Sequence, residues 1–504
     1  MKSMGARVLS LVETRVVASS ASSVAASRTT MRGTYATSSK PYAVLGGRSA
    51  EGSRGSGGSS SAGGGKGGAR GWSTSARAAL FVAASTYVAW THLYGEEEED
   101  VEASTVENWS GTKRVECERV FSPESVEALE RAVKSGKYRK LRPMGSALSP
   151  NGCAFESKGM VSMGLLDRVI EVDKEKKQVT LQAGARVREV VEALRPHGLT
   201  LQNYASIREQ QMGGFTQVGA HGTGAKIPPV DETVVGMKLV TPARGALTLS
   251  ESEEPELFKL AKCGIGALGA VAELTIQCVD AHKLVEYTWT VTPTEIETNH
   301  EKWIREYQHI RYMWIPHTDT VVVVASNPLK PGEREPRTKS RYSEKKRAEP
   351  LVRLLRDVAP NVDPEGMGFG QLRDELLKVD PLNVEHVKRV NAAEAEFWKR
   401  SAGVRVDWSD QILGFDCGGQ QHVLEVAFPA GELERMPPTN APLRADLRFM
   451  RDLRQLIEEH QIPAHAPIEQ RWTSGSSSPM SPSAGAPHSL HSWVGIIMYL
   501  PTTV

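Results

Sequence analysis

Two runs of small residues in this 504-residue chain could hold an anion at close range. The first is Pro143 to Gly152, PMGSALSPNG, in which Gly145, Ser146, Ala147 and Ser149 lie between two prolines. Such a loop exposes successive backbone N–H groups and lets an anion approach closely; a diphosphate is its natural guest. The same composition also describes an ordinary turn. The second run closes the stretch from Leu199 at Gly219-Ala-His-Gly-Thr-Gly-Ala225. A third stretch, Gly264-Ile-Gly-Ala-Leu-Gly269, matches G-x-G-x-x-G literally. A nicotinamide fingerprint needs a strand before the glycines and a helix after them. Here 256–262 reads as a helix and 271–276 alternates like a strand, so the order is reversed. The glycines are a tight helix-to-strand turn whose backbone lies close to something. The five cysteines (Cys117, Cys153, Cys263, Cys278, Cys417) are odd in number, widely spaced and without a C-x-x-C pair. That argues against a disulfide framework and against structural zinc.

The elements that must position these runs are legible nearby. Ser122-Pro-Glu124 has the residues of a helix start, with a serine N-cap, proline at N1 and an acid in the first turn. Val126, Leu129, Ala132 and Val133 follow at helical spacing, and Gly136 ends the helix. A short basic strand over 138–142 leads into the first loop. Strands are expected at about 160–163, 168–173 and 178–182, then an amphipathic helix over 186–194 that Gly198 stops. The basic segment 328–345 and the Ser/Pro-rich segment 473–492 read as surface excursions.

The charge is split. Residues 1–95 hold eleven basic and two acidic residues, a charge of +9, which leaves −8 for the rest and +1 for the whole. The acidic body argues against nucleic-acid binding. Residues 1–40 are rich in Ser, Ala, Val and Arg with one acid, the composition of an organellar transit peptide, and 46–71 holds twelve glycines, a flexible linker. Residues 1–77 are therefore assigned to targeting and linker. The uncharged stretch 78–94, AALFVAASTYVAWTHLY, spans roughly 25 Å as a helix, short for a bilayer core of about 30 Å. It reads either as a membrane segment with the acidic body across the membrane or as a cleaved part of the presequence.

Three stretches coincide with one family. PMGSALSPNG, NYASIREQQMGGFTQVGAHGTGA and CGIGALGAVAELTIQC resemble the FAD-binding domain of the vanillyl-alcohol-oxidase type. Further on, YMWIPHTDTVVVV, AEAEFWKRSAGVRVDWSDQILGFDCGGQQ, APIEQRWTSGSSSPMSP and SWVGIIMYLP resemble plant and algal L-galactono-1,4-lactone dehydrogenases. The resemblance runs from about Glu107 to Pro501. It implies an α+β fold, with a two-subdomain FAD-binding domain over 107–283 and a substrate cap domain over 284–504. It implies that Gly145, Ser146, Ala147, Leu148 and Ser149 wrap the FAD diphosphate. Many relatives bind flavin covalently through a histidine in this loop; the matching Leu148 has no nucleophile, so non-covalent FAD is expected. Ser206, Gly213, Gly214, Val218, Gly219, Ala220 and His221 are expected to line the cofactor, and Ile276 to touch its adenine side. Ala205 matches the position that limits dioxygen access to the flavin. Glu469 and Arg471 match the substrate residues: at i, i+2 on a strand they share a face, where arginine holds lactone oxygens and glutamate takes a hydroxyl proton. Cys417 matches a cysteine linked to oxidative sensitivity. No metal is expected.

The implied activity is oxidation of L-galactono-1,4-lactone to L-ascorbate. Cytochrome c is the implied electron acceptor, at the mitochondrial inner membrane with the catalytic part facing the intermembrane space. The rival readings are an aldonolactone oxidase using dioxygen, which Ala205 disfavours, and a non-catalytic protein associated with respiratory complex I assembly intermediates. The family's C-terminal part carries a His-Trp-(Ala or Gly)-Lys motif. No His-Trp pair occurs in this sequence, so the cap domain is expected to be incomplete.

Overall fold

The structure, a computed structural model, describes residues 104–136, 140–337, 339–414, 420–435 and 443–500. The targeting segment, the stretch 78–94 and Cys417 lie outside the described residues. Among the described residues no helix is long and apolar enough to cross a membrane.

The N-terminal part contains two sheets. A small parallel sheet runs Val120–Phe121, Met160–Ser162, Arg142–Met144. A five-stranded antiparallel sheet runs Gly245–Ser250, Val234–Thr241, Ala270–Gln277, Gln178–Gln182, Val169–Asp173. The helix Val187–Leu194 buries Val187, Val190, Val191 and Leu194 at helical spacing, the stripe its sequence predicts. One core joins these elements, from Leu129 to Cys278. The first helix begins later than expected, at Val126, because the Ser125 hydroxyl accepts from the Ala128 N–H, 3.1 Å away, and takes the N-cap from Ser122. As the reversed order required, 264–269 turns the chain from helix Pro255–Ala261 into strand Ala270–Gln277.

The C-terminal part is built on one eight-stranded antiparallel sheet. Its order is Lys339–Ser340, Gly403–Trp408, Lys283–Val291, Val321–Pro328, His309–Trp314, Ile468–Ser474, Ser489–Tyr499, Gln421–Glu432. Side chains alternate between its faces with period two. Ile310, Tyr312, Val321, Val323, Ile468, Trp472, Leu490 and Val494 face one way, into a core with helices Pro293–Glu306 and Ala445–Glu459. That core encloses Asp446, which accepts from Trp472 Nε1 at 2.9 Å and from Arg444 at 3.1 Å, with His300 Nε2 at 3.3 Å. Burial opposes its charge, but His300 and Arg444 outweigh burial and hold the carboxyl well below its usual range. The alternate positions His309, Arg311, Glu469, Arg471 and Trp493 face the other way.

One expectation is overturned. Residues 473–492 are not a surface excursion: Ser476, Ser478, Ser481 and Ser483 are buried. Ser476 and Ser477 turn their hydroxyls onto Asp231 and Glu232, both from the N-terminal part. Short hydroxyls satisfied by buried carboxylates can enter an interior that longer polar side chains cannot.

Candidate active site

The strand Arg142–Met144 delivers the chain into the first loop, and Ala147 there adopts φ +51°. A residue with a Cβ is uncommon in the left-handed region, and its strain must be held by its surroundings. Here the loop carbonyls are held from behind: Ala147 O accepts from the Trp109 N–H at 2.9 Å and Ser149 O from Asn108 Nδ2 at 2.9 Å. Ser146 Oγ donates to Glu209 O at 2.7 Å. Among the described residues no acceptor receives the N–H groups of Ser146, Ala147, Leu148 or Ser149. Free donors on a turn of mixed handedness form an anion-binding concavity.

This loop is one wall of a cleft of about 860 Å³. Gly145 to Ser149 line it together with Gly213, Gly214 and Val218 from the short helix Met212–Gln217 and its end. The third wall is the 264–269 turn, through Ile265, Gly266 and Gly269. The backbone that this turn lies close to is therefore the cleft itself. Gly213 cannot bear a side chain, since a Cβ would lie 2.8 Å from that of Ala183. Gln210 Oε1 and Gln211 Oε1, both on the cleft, are buried and have no partner. A donor nest, unpaired acceptors and apolar walls fit FAD, whose diphosphate needs donors and whose rings carry N–H groups.

The other cofactor candidates divide. Ala205, Ala220 and His221 line a smaller cavity of about 300 Å³ with Asn203 and Phe215. Ser206 and Gly219 line neither cavity; Gly219 packs near Pro482 and Cys263. Ile276 is a correction. It is 1 % exposed in the core of the five-stranded sheet, inward by the alternation of its strand, and does not line the cleft.

Glu469 and Arg471 both lie on strand Ile468–Ser474, and Arg471 Nε is 3.4 Å from Glu469 Oε2. Neighbouring strands add charges that sequence reasoning missed. Arg311, directly opposite Arg471 in the register, reaches Glu469 Oε1 at 3.4 Å. Glu425, on the far edge strand, accepts from Arg471 Nη2 at 2.6 Å through one oxygen and lies 3.2 Å from His221 Nε2 through the other. Burial would raise the Glu425 carboxyl, but Arg471 and His221 outweigh it and hold it well below its usual range. Gly495 stands between Glu469 and Glu425 in the ladder and keeps the floor between them open.

His221 joins the two parts of the molecule. Its ring stacks on Trp493 with centroids 3.6 Å apart, and its Nδ1 lies 3.0 Å from Gly222 O. Both ring nitrogens face oxygen acceptors, an arrangement fully satisfied by the doubly protonated ring. Gly222 must be glycine: a Cβ would lie 2.2 Å from Asn203 Oδ1. The following residues are pinned to the sheet, with His309 Nδ1 2.7 Å from Thr223 O and the Gly224 N–H donating to Trp472 O at 2.7 Å. The only sequence signal for Glu425 and Arg311 was a charge at an alternate position of an apolar strand, and partners up to 204 residues apart cannot be read from that.

Comparison with known proteins follows this division. The family described as FAD binding domain matches residues 117–250, and that described as D-arabinono-1,4-lactone oxidase matches 274–504. L-galactono-1,4-lactone dehydrogenase 1, mitochondrial, of Oryza sativa subsp. japonica is 53% identical over 411 residues, covering 79% of this chain and 69% of that protein. The mitochondrial L-galactono-1,4-lactone dehydrogenase of Arabidopsis thaliana is 51% identical over 416 residues, covering 79% and 67%. L-gulonolactone oxidase of Mus musculus is 27% identical over 404 residues, covering 78% and 82%. Cholesterol oxidase from Brevibacterium sterolicum shares the fold, with a TM-score of 0.60 at 16% identity over 80% of each chain. With its FAD-binding part and its aldonolactone part both matched, the chain belongs to the L-galactono-1,4-lactone dehydrogenase family of FAD-dependent oxidoreductases.

Proposed function

We propose that this chain oxidises L-galactono-1,4-lactone to L-ascorbate, with non-covalent FAD as its cofactor and cytochrome c as the acceptor of the electrons. The observation that carries the reading is the pair Glu469 and Arg471, braced by Arg311 and Glu425 and held against His221 of the cofactor-binding part. FAD, when bound, supplies a hydride acceptor. Gly145 to Ser149 would hold its diphosphate through backbone N–H groups, with Gly213, Gly214 and Val218 on the facing wall. Leu148 offers that wall only hydrocarbon, hence the non-covalent reading. Arg471 orients the lactone oxygens and stabilises negative charge as it develops. Glu469 accepts the hydroxyl proton as the carbinol carbon loses its hydride, so one hydride and one proton leave the lactone. Arg311 holds Glu469 in place and Glu425 holds Arg471, which limits the geometries in which either meets substrate.

Ala205 keeps dioxygen from the flavin in this reading, and the −8 charge of the body outside residues 1–95 steers a basic acceptor such as cytochrome c. The relatives named above are mitochondrial. We assign this chain the same compartment, with 78–94 as an inner-membrane tether, the catalytic part in the intermembrane space, and contact with complex I assembly intermediates. The test is anaerobic reduction by L-galactono-1,4-lactone, followed by cytochrome c or air. Rapid reoxidation by cytochrome c, slowed by added salt, is expected. Rapid reoxidation by air with peroxide release would replace the dehydrogenase reading with an oxidase. Ala205→Gly is expected to raise the rate with air and leave the reductive step alone.

A further inference from the structure

A third cavity, of about 370 Å³, opens beside Arg471 between the two parts of the molecule. Tyr204, Gly222 and Thr223 line one side; Glu286, His309 and Arg311 line the other. Its volume lies within the range for small-molecule sites, about 300–1,000 Å³. Most of its polar groups are already engaged. Arg471 reaches Glu425, Arg311 reaches Glu469, and His309 lies against Thr223 O through one nitrogen and Gln308 through the other.

Glu286 differs. It projects from strand Lys283–Val291, in register with Ser326 on one side and Arg405 on the other, and accepts a hydrogen bond from no described residue. Burial pushes its carboxyl up, opposed by the charges of Arg311 and Arg405. A largely desolvated carboxylate without donors is costly, and a donor from a ligand removes the cost. The sheet sets where that ligand must reach. Arg471 and Glu286 stand three strands apart, about 14 Å at the usual spacing, and both turn into this one cavity. A molecule whose ring is held by Arg471 would extend its hydroxylated arm along the sheet toward Glu286.

We propose that this cavity is the subsite for the exocyclic hydroxyls of a six-carbon 1,4-lactone, with Glu286 the specificity-determining residue that accepts from them. The inference rests on Arg471 holding the lactone ring. A carboxylate presents two oxygens, so it suits two adjacent O–H donors, which a five-carbon lactone lacking the terminal carbinol cannot supply. A site built to accept from a hydroxyl discriminates strongly against the analogue that lacks it.

The test compares L-galactono-1,4-lactone with a pentono-1,4-lactone of the same ring configuration, on the full FAD-loaded chain. In Glu286→Ala the ratio of kcat/KM for the six-carbon over the five-carbon lactone should fall at least about tenfold, mainly through KM. Glu286→Gln, which keeps the shape and one acceptor, should recover part of the ratio. Equal losses on both lactones, or an unchanged ratio, would overturn the subsite. A second readout needs no turnover: in wild type the six-carbon lactone should raise the melting temperature more than the five-carbon one, and Glu286→Ala should abolish that gap. If wild type oxidises neither lactone, the functional reading fails and the melting gap alone decides. A gap lost in Glu286→Ala keeps the subsite, and equal responses sink it.

Discussion

Glu425 offers the sharpest perturbation. Its two oxygens serve Arg471 at 2.6 Å and His221 at 3.2 Å, with the side chain only 26% exposed. A hydrogen bond to a charged group contributes about 1.5–3 kcal/mol, and more is lost when a buried partner is stranded. Arg471 keeps Glu469 at 3.4 Å, so the lower end applies to each contact, and Glu425→Ala should cost about 3 kcal/mol. In Glu425→Gln the amide oxygen can still accept from Arg471 and the amide nitrogen can donate to a neutral His221. Only the charge is lost, about 1 kcal/mol. The pH dependence has a definite sign. The folded carboxyl is held below its unfolded value of about 4.3, so its contribution is complete above that pH and fades as pH falls below it. Urea unfolding at pH 7, 5 and 3.5 should give wild type above Glu425→Gln above Glu425→Ala at pH 7, with the gap between wild type and Glu425→Gln closing at pH 3.5. With Arg471 no longer fixed, kcat/KM should also drop about 10- to 100-fold in Glu425→Ala. A gap as large at pH 3.5 as at pH 7, or Glu425→Ala as stable as wild type, would refute the reasoning.

Asp231 should behave oppositely. It is fully buried, and burial pushes its carboxyl up to about 6, so its favourable contribution is lost as pH rises through that value. Asp231→Asn should therefore gain on wild type between pH 5 and 7.5, by about 2 kcal/mol in urea unfolding; a gain at pH 5 that disappears at pH 7.5 would contradict this. Asp446→Ala strands Trp472, Arg444 and His300 in the second core and should lower stability by about 4 kcal/mol, read as a loss of soluble folded protein or of melting temperature. Ala147→Val places a β-branched side chain at φ +51° and should weaken FAD binding, measured by recovery of flavin fluorescence, while the cap core stays intact.

The sequence alone determined what is local. The diphosphate loop is coded by its small residues, the helix-to-strand sense of 264–269 by the periodicities on either side, and the facing of Glu469 with Arg471 by strand alternation. Resemblance of long motifs supplied the family and its cofactor. Local patterning misled in two places. The polarity of 473–492 looked like a surface, because composition does not reveal that Asp231 and Glu232 wait in the interior to receive those hydroxyls. Ile276 looked like a cofactor contact, because a matched position does not say which face of its strand meets the core. Only the tertiary structure decided the partners of the site. Glu425, Arg311, Glu286 and His221 sit on separate elements, and their meeting depends on the strand order of one sheet and on the pinning of 222–224 against it. Strand order is fixed by long-range pairing, and no spacing along the chain records it.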